Sequence, residues 1–216
     1  MEQTMTYSDK GSFSHILRTF SLSLLVSFLG MLVGAYFIPP KMVPIFIFIE
    51  LGMLIAALFL RKKTGLGYGF LYTFTAVSGV TLYPVIMMYG AKIGANVVAG
   101  TFITTAVIFG SLALYAHRSK RDFFFLGGFL FAATIGLIII SLINLFLPIA
   151  AGGFNILWAG AGVLIFSVWV LYDVSQYREG VAVEDVPMAA LNIYLDFINL
   201  FLYLLRLVAA IFGGRD

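Results

Sequence analysis

Residues 193–206 read IYLDFINLFLYLLR, and this stretch decides the fold because it sets Asp196 in a run apolar enough to belong in lipid. A charged side chain at the centre of a membrane helix costs about 2.5–3.5 kcal/mol on insertion scales. Such residues therefore usually face the interior of a helix bundle or a water-filled cavity. The stretch predicts a membrane helix and, at Asp196, a functional position within it.

The composition extends this interpretation to all 216 residues. Charged residues make up 11% of the chain and hydrophobic residues 62%, whereas soluble domains contain about 25% charged residues. No polar segment is long enough to form a soluble domain. The sequence therefore predicts an all-α membrane protein whose main partner is the lipid bilayer.

Stretches of about 20 apolar residues divide the chain into seven transmembrane helices. The predicted helices cover approximately residues 14–37, 42–60, 68–88, 93–116, 123–147, 154–172 and 187–212. The expected organisation is an N-terminal segment at 1–13, one seven-helix transmembrane domain at 14–212 and a short C-terminal tail at 213–216. The small-residue pairs Gly30 with Gly34 and Gly160 with Gly162 predict close helix packing.

Lysine and arginine residues collect on one side of this topology. That side holds Lys10, Arg18, Arg61, Lys62, Lys63, Arg118, Lys120, Arg121 and Arg178. The opposite loops hold only Lys41 and Lys92, with Arg206 and Arg215 near the C-terminus. Because positive loops stay in the cytoplasm, the N-terminus is expected there. The protein is expected to be a multi-pass protein of the plasma membrane. Membrane orientation explains the positive charge, so no nucleic-acid partner is expected.

The chain has no cysteine and only two histidines, His15 and His117. This composition excludes disulfides, thiol catalysis and cysteine-rich metal sites, and the two histidines have no metal-ligand spacing. Any metal must therefore be bound by oxygen atoms.

Asp173 and Asp196 are the main candidate site residues. Asp173 is expected to close the sixth helix, and a short connection allows this helix to pack antiparallel to the seventh, which carries Asp196. If the two carboxyl groups meet, they titrate as a unit and act as a pH sensor. When ionised, they offer the hard oxygen ligands that Ca²⁺ prefers. Asn199, one turn after Asp196, is a possible accessory ligand.

Three further charged residues are expected to control access to this pair. Arg61 ends the second predicted helix at a depth that lets it bridge to Asp173, so it is predicted to act as a latch at the cytoplasmic end. Glu50 and Arg206 lie at similar estimated depths in the outer halves of their helices. They are predicted to form an ion pair that gates the pathway.

These segments resemble the transmembrane Bax-inhibitor-motif family, particularly its short bacterial calcium-leak members. The resemblance is carried by FSVWVLYDVSQ, residues 166–176, and YLDFINLFLYLLR, residues 194–206, with support from GYGFLYTFTAVSGVTLYP, residues 67–84. It implies a central last helix wrapped by the other six, a calcium-leak pathway, an aspartate pair matching Asp173 and Asp196, and an arginine latch matching Arg61. The glycine–proline signature and charged tail of many eukaryotic members are missing, so neither a cell-death role nor a protein partner is inferred.

The expected function is a pH-sensitive calcium leak channel that conducts calcium ions, responds to protons, and has neither an enzymatic activity nor a cofactor. A proton-coupled transporter of small solutes is an alternative, although no internal repeat supports it. An intramembrane aspartyl protease is a second alternative, because two aspartates sharing a proton support hydrolysis. Tyr172 and Asp173 match half of that protease motif, but the glycine–x–glycine–aspartate half is missing.

Overall fold

The computed structural model describes residues 10–60, 66–146 and 153–213, and within these ranges the chain forms seven α-helices. The helices are α1 Phe13–Phe37, α2 Val43–Leu60, α3 Tyr68–Ile93, α4 Ala95–Arg118, α5 Gly127–Phe146, α6 Gly153–Tyr177 and α7 Val186–Phe212. All seven contain segments that are long and apolar enough to cross a membrane. The predicted all-α fold with seven transmembrane helices is confirmed.

Two helices extend beyond their predicted ends. α3 continues to Ile93 instead of residue 88, and α6 continues to Tyr177 instead of residue 172. The apolar run marks where lipid contact ends, whereas backbone hydrogen bonds continue through polar residues. Each extension stops shortly before a glycine in the left-handed conformation, Gly94 with φ 91° and Gly180 with φ 79°. The prediction that Asp173 closes the sixth helix is therefore wrong, because this residue lies inside α6.

Two short strands join the N-terminal segment to the connection between α6 and α7. Strand β1, Lys10–Gly11, pairs antiparallel with strand β2, Val181–Ala182. A 3₁₀ turn at Val183–Asp185 follows β2 and leads directly into α7. α7 begins at Val186, one residue before the predicted start, and Pro187 occupies its first turn, where a missing N–H group is tolerated.

α7 is the central helix of the fold. None of the side chains from residue 186 to residue 210 is exposed. By contrast, Val43 and Ala57 are the buried residues of α2 among those whose side chains are described. A helix covered in this way can carry polar side chains that lipid would disfavour. The prediction that the last helix is central is confirmed.

The chain folds as two compact units. The first unit comprises Met1–Met87 and Glu179–Tyr194, and the second comprises Met88–Arg178 and Leu195–Asp216. α7 therefore contributes its first turns to the first unit and the remainder to the second. The boundaries at 1–13, 14–212 and 213–216 stay predictions, and residues 1–9 and 214–216 lie outside the described residues.

Glycines allow α1 and α3 to pack closely in the first unit. A methyl group on Gly30 would overlap the backbone of Ala76, and one on Gly79 would overlap the backbone carbonyl of Ser27. A methyl group on Gly34 would lie 3.2 Å from the α-carbon of Val80. The close packing predicted for the pair Gly30 and Gly34 is thus confirmed.

The second glycine pair behaves differently. In the second unit, Gly162 lies against the ring of Tyr203, with no room for a side chain. A methyl group on Gly160 would meet no described atom within 4 Å. Close packing is therefore confirmed for Gly162, whereas Gly160 makes no such contact among the described residues.

Candidate functional site

The carboxyl groups of Asp173 and Asp196 meet in the second unit. Asp173 lies on α6 and Asp196 on α7, and each residue is 5% exposed. The two side chains are within hydrogen-bonding reach of each other. Oδ2 of Asp196 is buried and has no hydrogen-bond partner among the described residues. The structure therefore brings together the two aspartates that the sequence singled out.

A hydrogen bond between two carboxyl groups requires a proton. An ionised carboxylate only accepts hydrogen bonds, whereas a protonated carboxyl group also donates one. Two ionised carboxylates at this distance repel each other, and the repulsion is strong where water is excluded. A shared proton would therefore stabilise the contact between Asp173 and Asp196, and its loss would disfavour that contact.

Buried apolar residues neighbour both aspartates along their helices. On α6, Val170 and Val174 flank Asp173 and are fully buried. On α7, Phe197 packs edge-on against Phe102 and Phe109 of α4, with ring centroids 5.5 and 5.4 Å apart. These two α4 rings are two turns apart on one helix face, so Phe197 is held between them. This packing fixes the rotation of α7 beside Asp196.

The end of α6 is anchored close to the aspartate site. Arg178, immediately after α6, donates hydrogen bonds to the backbone carbonyls of Ser119 and Arg121 at 2.6 and 3.3 Å. These carbonyls belong to the connection between α4 and α5. The position of Asp173 is thus tied to that connection by a charged side chain that the sequence reasoning assigned only to membrane orientation.

Asn199 uses part of its amide group within α7. Its Nδ2 donates a hydrogen bond to the backbone carbonyl of Leu195 at 2.8 Å. Among the described residues, no group of three or more histidine, cysteine, aspartate or glutamate residues is arranged to hold a metal ion. A calcium ion at the aspartate pair would therefore take further oxygens from carbonyls, amides or water. The roles of Asp173 and Asp196 as ion ligands, and of Asn199 as an accessory ligand, stay predictions.

Glu50 and Arg206 each have contacts within their own unit. Glu50 belongs to the first unit, where Oγ1 of Thr81 lies 2.6 Å from its Oε2. Arg206 belongs to the second unit, and its guanidinium carbon lies 6.0 Å from the ring centroid of Tyr203. A cation in this position is attracted to the face of an aromatic ring. The gate formed by Glu50 and Arg206 stays a prediction, and the predicted latch Arg61 lies outside the described residues.

Sequence reasoning missed a second buried polar group on α7. Tyr194 is fully buried, and its hydroxyl donates a hydrogen bond to Oγ of Ser27 at 2.8 Å. Its ring meets that of Phe74 at 90°. The available signal was position, because membrane tyrosines favour the lipid–water interface and Tyr194 stands well inside its helix.

The fold and the buried aspartates define a multi-pass membrane protein with an acidic pair at its central helix. The sequence profile described as Bax1-I, Inhibitor of apoptosis-promoting Bax1, matches residues 10–214. The chain belongs to this Bax inhibitor family.

Relatives in bacteria and yeast agree with this assignment. The chain is 36% identical to an uncharacterized protein of Helicobacter pylori over 173 residues, which are 80% of this chain and 73% of the relative. It is 33% identical to the inner membrane protein YbhL of Escherichia coli over 179 residues, 77% of this chain and 71% of the relative. It is 37% identical to Bax inhibitor 1 of Schizosaccharomyces pombe over 141 residues, 65% of this chain and 51% of the relative.

Proposed function

We propose that this protein is a pH-sensitive calcium leak channel in which Asp173 and Asp196 sense protons and bind the ion. The observation that carries the proposal is the contact between their carboxyl groups inside the second unit. Ionisable groups within membrane helices commonly mark ion or proton pathways. The resemblance to bacterial calcium-leak proteins gives the same assignment. Calcium is the transported ion in this proposal and no resident cofactor is required.

The proton shared with Asp196 and the guanidinium of Arg61 compete for Asp173, and this competition controls the channel. The arrangement with the carboxyl groups in contact holds a proton, so acid favours it. Alkaline pH ionises both groups, and the Asp173 carboxylate then becomes a partner for the guanidinium of Arg61, which latches the cytoplasmic end. Acid thus favours the unlatched state, but it also reduces calcium binding because the ligands must be deprotonated. Calcium flux is therefore greatest at mildly acidic pH and falls on both sides.

Calcium flux into proteoliposomes tests this function. An indicator trapped inside the vesicles reports calcium flux at pH values between about 5 and 8, the range in which physiological pH sensors change charge. Asp196→Asn preserves the shape of the side chain but cannot titrate, so we expect it to remove most of the pH dependence. Asp185→Asn is the matched control, because Asp185 is an exposed residue just before α7. An unchanged pH profile in Asp196→Asn would falsify the sensor role.

Two other functions are separable by direct assays. A proton-coupled transporter would show proton flux that depends on an added solute, and a leak channel would not. An intramembrane protease would release products from a membrane-embedded peptide. The missing glycine–x–glycine–aspartate motif disfavours the protease, and we propose that the protein is not an enzyme.

We place the protein in the plasma membrane with its N-terminus in the cytoplasm. The concentration of lysine and arginine on one side of the seven helices supports this orientation. The description of the Escherichia coli relative as an inner membrane protein supports the location.

A further inference from the structure

We propose that β1 and β2 form a clip that fixes the start of α7, and that opening of the clip releases α7 together with Asp196. The clip consists of β1, Lys10–Gly11, of β2, Val181–Ala182, and of the adjoining residues Gly180 and Val186. All of these residues belong to the first unit. Its effect on ion flux rests on the function proposed above. Its effect on the position of α7 does not.

Two glycines make the clip possible. Gly11 is buried, and a methyl group there would overlap the side chain of Val186, the first residue of α7. Gly180 has a φ of 79°, and its missing side chain would lie 2.5 Å from the backbone oxygen of Gly11. A residue with a Cβ atom is disfavoured in that conformation. The N-terminal strand therefore reaches both the connection and the first turn of α7 because neither glycine has a side chain.

The clip is tied to helices on both of its sides. After Gly11, Ser12 caps α1, with its Oγ accepting a hydrogen bond from the backbone N–H of His15 at 3.3 Å. After Ala182, a single 3₁₀ turn leads into α7. The clip thus connects the start of α1 to the start of α7, although these helices lie at opposite ends of the described sequence.

The composition of α7 favours the transmission of a movement from its first turn to Asp196. Each of the other six helices contains at least one glycine, whereas α7 contains none, and its one proline, Pro187, lies in the first turn. Glycine pairs and internal prolines are common sites of helix kinks. Asp196 lies ten residues beyond Val186, about 15 Å along a helix axis. A shift of the first turn is therefore carried along the helix instead of being absorbed by a bend.

The clip is also weak enough to open. Each strand has two residues, and an isolated two-stranded pair is at best marginally stable in water. The neighbouring residues Ser12, Val183, Glu184 and Asp185 are exposed. Short pairings with exposed neighbours open locally without unfolding the rest of a protein.

Gly180→Ala is the variant that opens the clip, and Gly94→Ala is its matched control. Both glycines have positive φ, so alanine strains both backbones. A methyl group on Gly94 meets nothing within 4 Å, whereas one on Gly180 meets Gly11. Because the chain has no native cysteine, Lys10→Cys with Ala182→Cys places the only two thiols at paired positions. A disulfide between them locks the clip, and a reductant releases it.

The position of α7 is measured without reference to flux. Spin labels on Tyr36→Cys and Ile211→Cys occupy exposed positions at the end of α1 and near the end of α7. We expect Gly180→Ala to broaden or shift the distance distribution between the labels, and Gly94→Ala to leave it as in the parent. Hydrogen exchange of residues 179–186 is expected to be about tenfold faster in Gly180→Ala than in Gly94→Ala, as local opening predicts. Identical distances and exchange in the two variants would overturn the clip.

Flux measurements then separate the two proposals. If the parent conducts calcium, we expect the locked disulfide to suppress flux at least fivefold and reduction to restore it. Equal flux in the locked and reduced states would overturn the link between clip and pathway. If the parent conducts no calcium, the channel proposal fails, and the distance and exchange measurements still decide whether the clip holds α7.

Discussion

At the level of single residues, α7 carries two buried polar groups with different surroundings. The hydroxyl of Tyr194 has a partner in Ser27, whereas Oδ2 of Asp196 has none among the described residues. An unpaired buried polar atom destabilises a fold by about 1–3 kcal/mol. Tyr194 thus has the partner that its burial requires, whereas one oxygen of Asp196 lacks one among the described residues. This difference supports a functional role for Asp196.

The bond between Tyr194 and Ser27 predicts a measurable loss of stability. Tyr194→Phe removes the hydroxyl and leaves the buried Ser27 without this partner, so we expect the free energy of unfolding to fall by about 1–2 kcal/mol. Denaturant titration in detergent micelles measures the change. Adding Ser27→Ala to Tyr194→Phe should cost less than the sum of the single changes. Simple additivity would show that the bond contributes little.

The predicted ion pair between Glu50 and Arg206 can be tested by exchanging the charges of the two residues. Glu50→Arg and Arg206→Glu should each disturb flux, because each places like charges on the two sides of the gate. Combining the two changes restores opposite charges and should recover flux. If the combined variant shows the damage of both single changes added together, the two residues act separately. The contacts with Thr81 and Tyr203 would then be their main roles.

At the level of helices, the molecule combines close packing with one glycine-free element. Gly30, Gly34 and Gly79 bring the backbones of α1 and α3 together. α7 is surrounded instead by large side chains such as Phe74, Phe102 and Phe109. The backbones of α1 and α3 are in contact, which leaves no room for extra atoms. Replacing these glycines by larger residues should therefore lower the stability of the protein.

Alanine substitutions at two helical glycines should act in opposite directions. Gly79→Ala places a methyl group against the carbonyl of Ser27 and forces α1 and α3 apart, so we expect a loss of about 1–3 kcal/mol. Gly100→Ala in α4 meets open space, and alanine is a better helix former by up to about 1 kcal/mol. Thermal unfolding of the two variants beside the parent provides the test. A stable Gly79→Ala variant would mean that the helices separate at little cost.

At the level of the whole molecule, the sequence predicts the helices better than their partners. Seven apolar runs were sufficient to find seven helices. The short connection between α6 and α7 made a contact between Asp173 and Asp196 possible, and the family resemblance implied the pair. The contact of Glu50 with Thr81 depends on how each helix is rotated, and apolar residues on every face conceal that rotation. The two-residue strands were missed because a strand this short has no alternating pattern.

The latch gives a prediction for the complete protein. In the proposed latch, Arg61→Ala removes the cation that binds ionised Asp173, so we expect increased calcium flux at neutral and alkaline pH. The excess over the parent should shrink as acid protonates the aspartates. Proteoliposome flux at several pH values measures this difference, with Arg18→Ala as a control from the same side of the membrane. Arg61 is only an interfacial anchor if its variant matches the parent throughout.

The burial of α7 also has a consequence for biosynthesis. As the seventh helix in chain order, it leaves the ribosome after the other six, and it carries Asp196 and Arg206 into the bilayer. Insertion and helix association are separate steps for membrane proteins. The first six helices must therefore enter lipid before their central element exists. Between these steps surfaces that α7 will cover, such as the α4 face carrying Phe102 and Phe109, are exposed. We therefore expect the interval between synthesis of α6 and docking of α7 to be the time when this protein is most sensitive to membrane proteases.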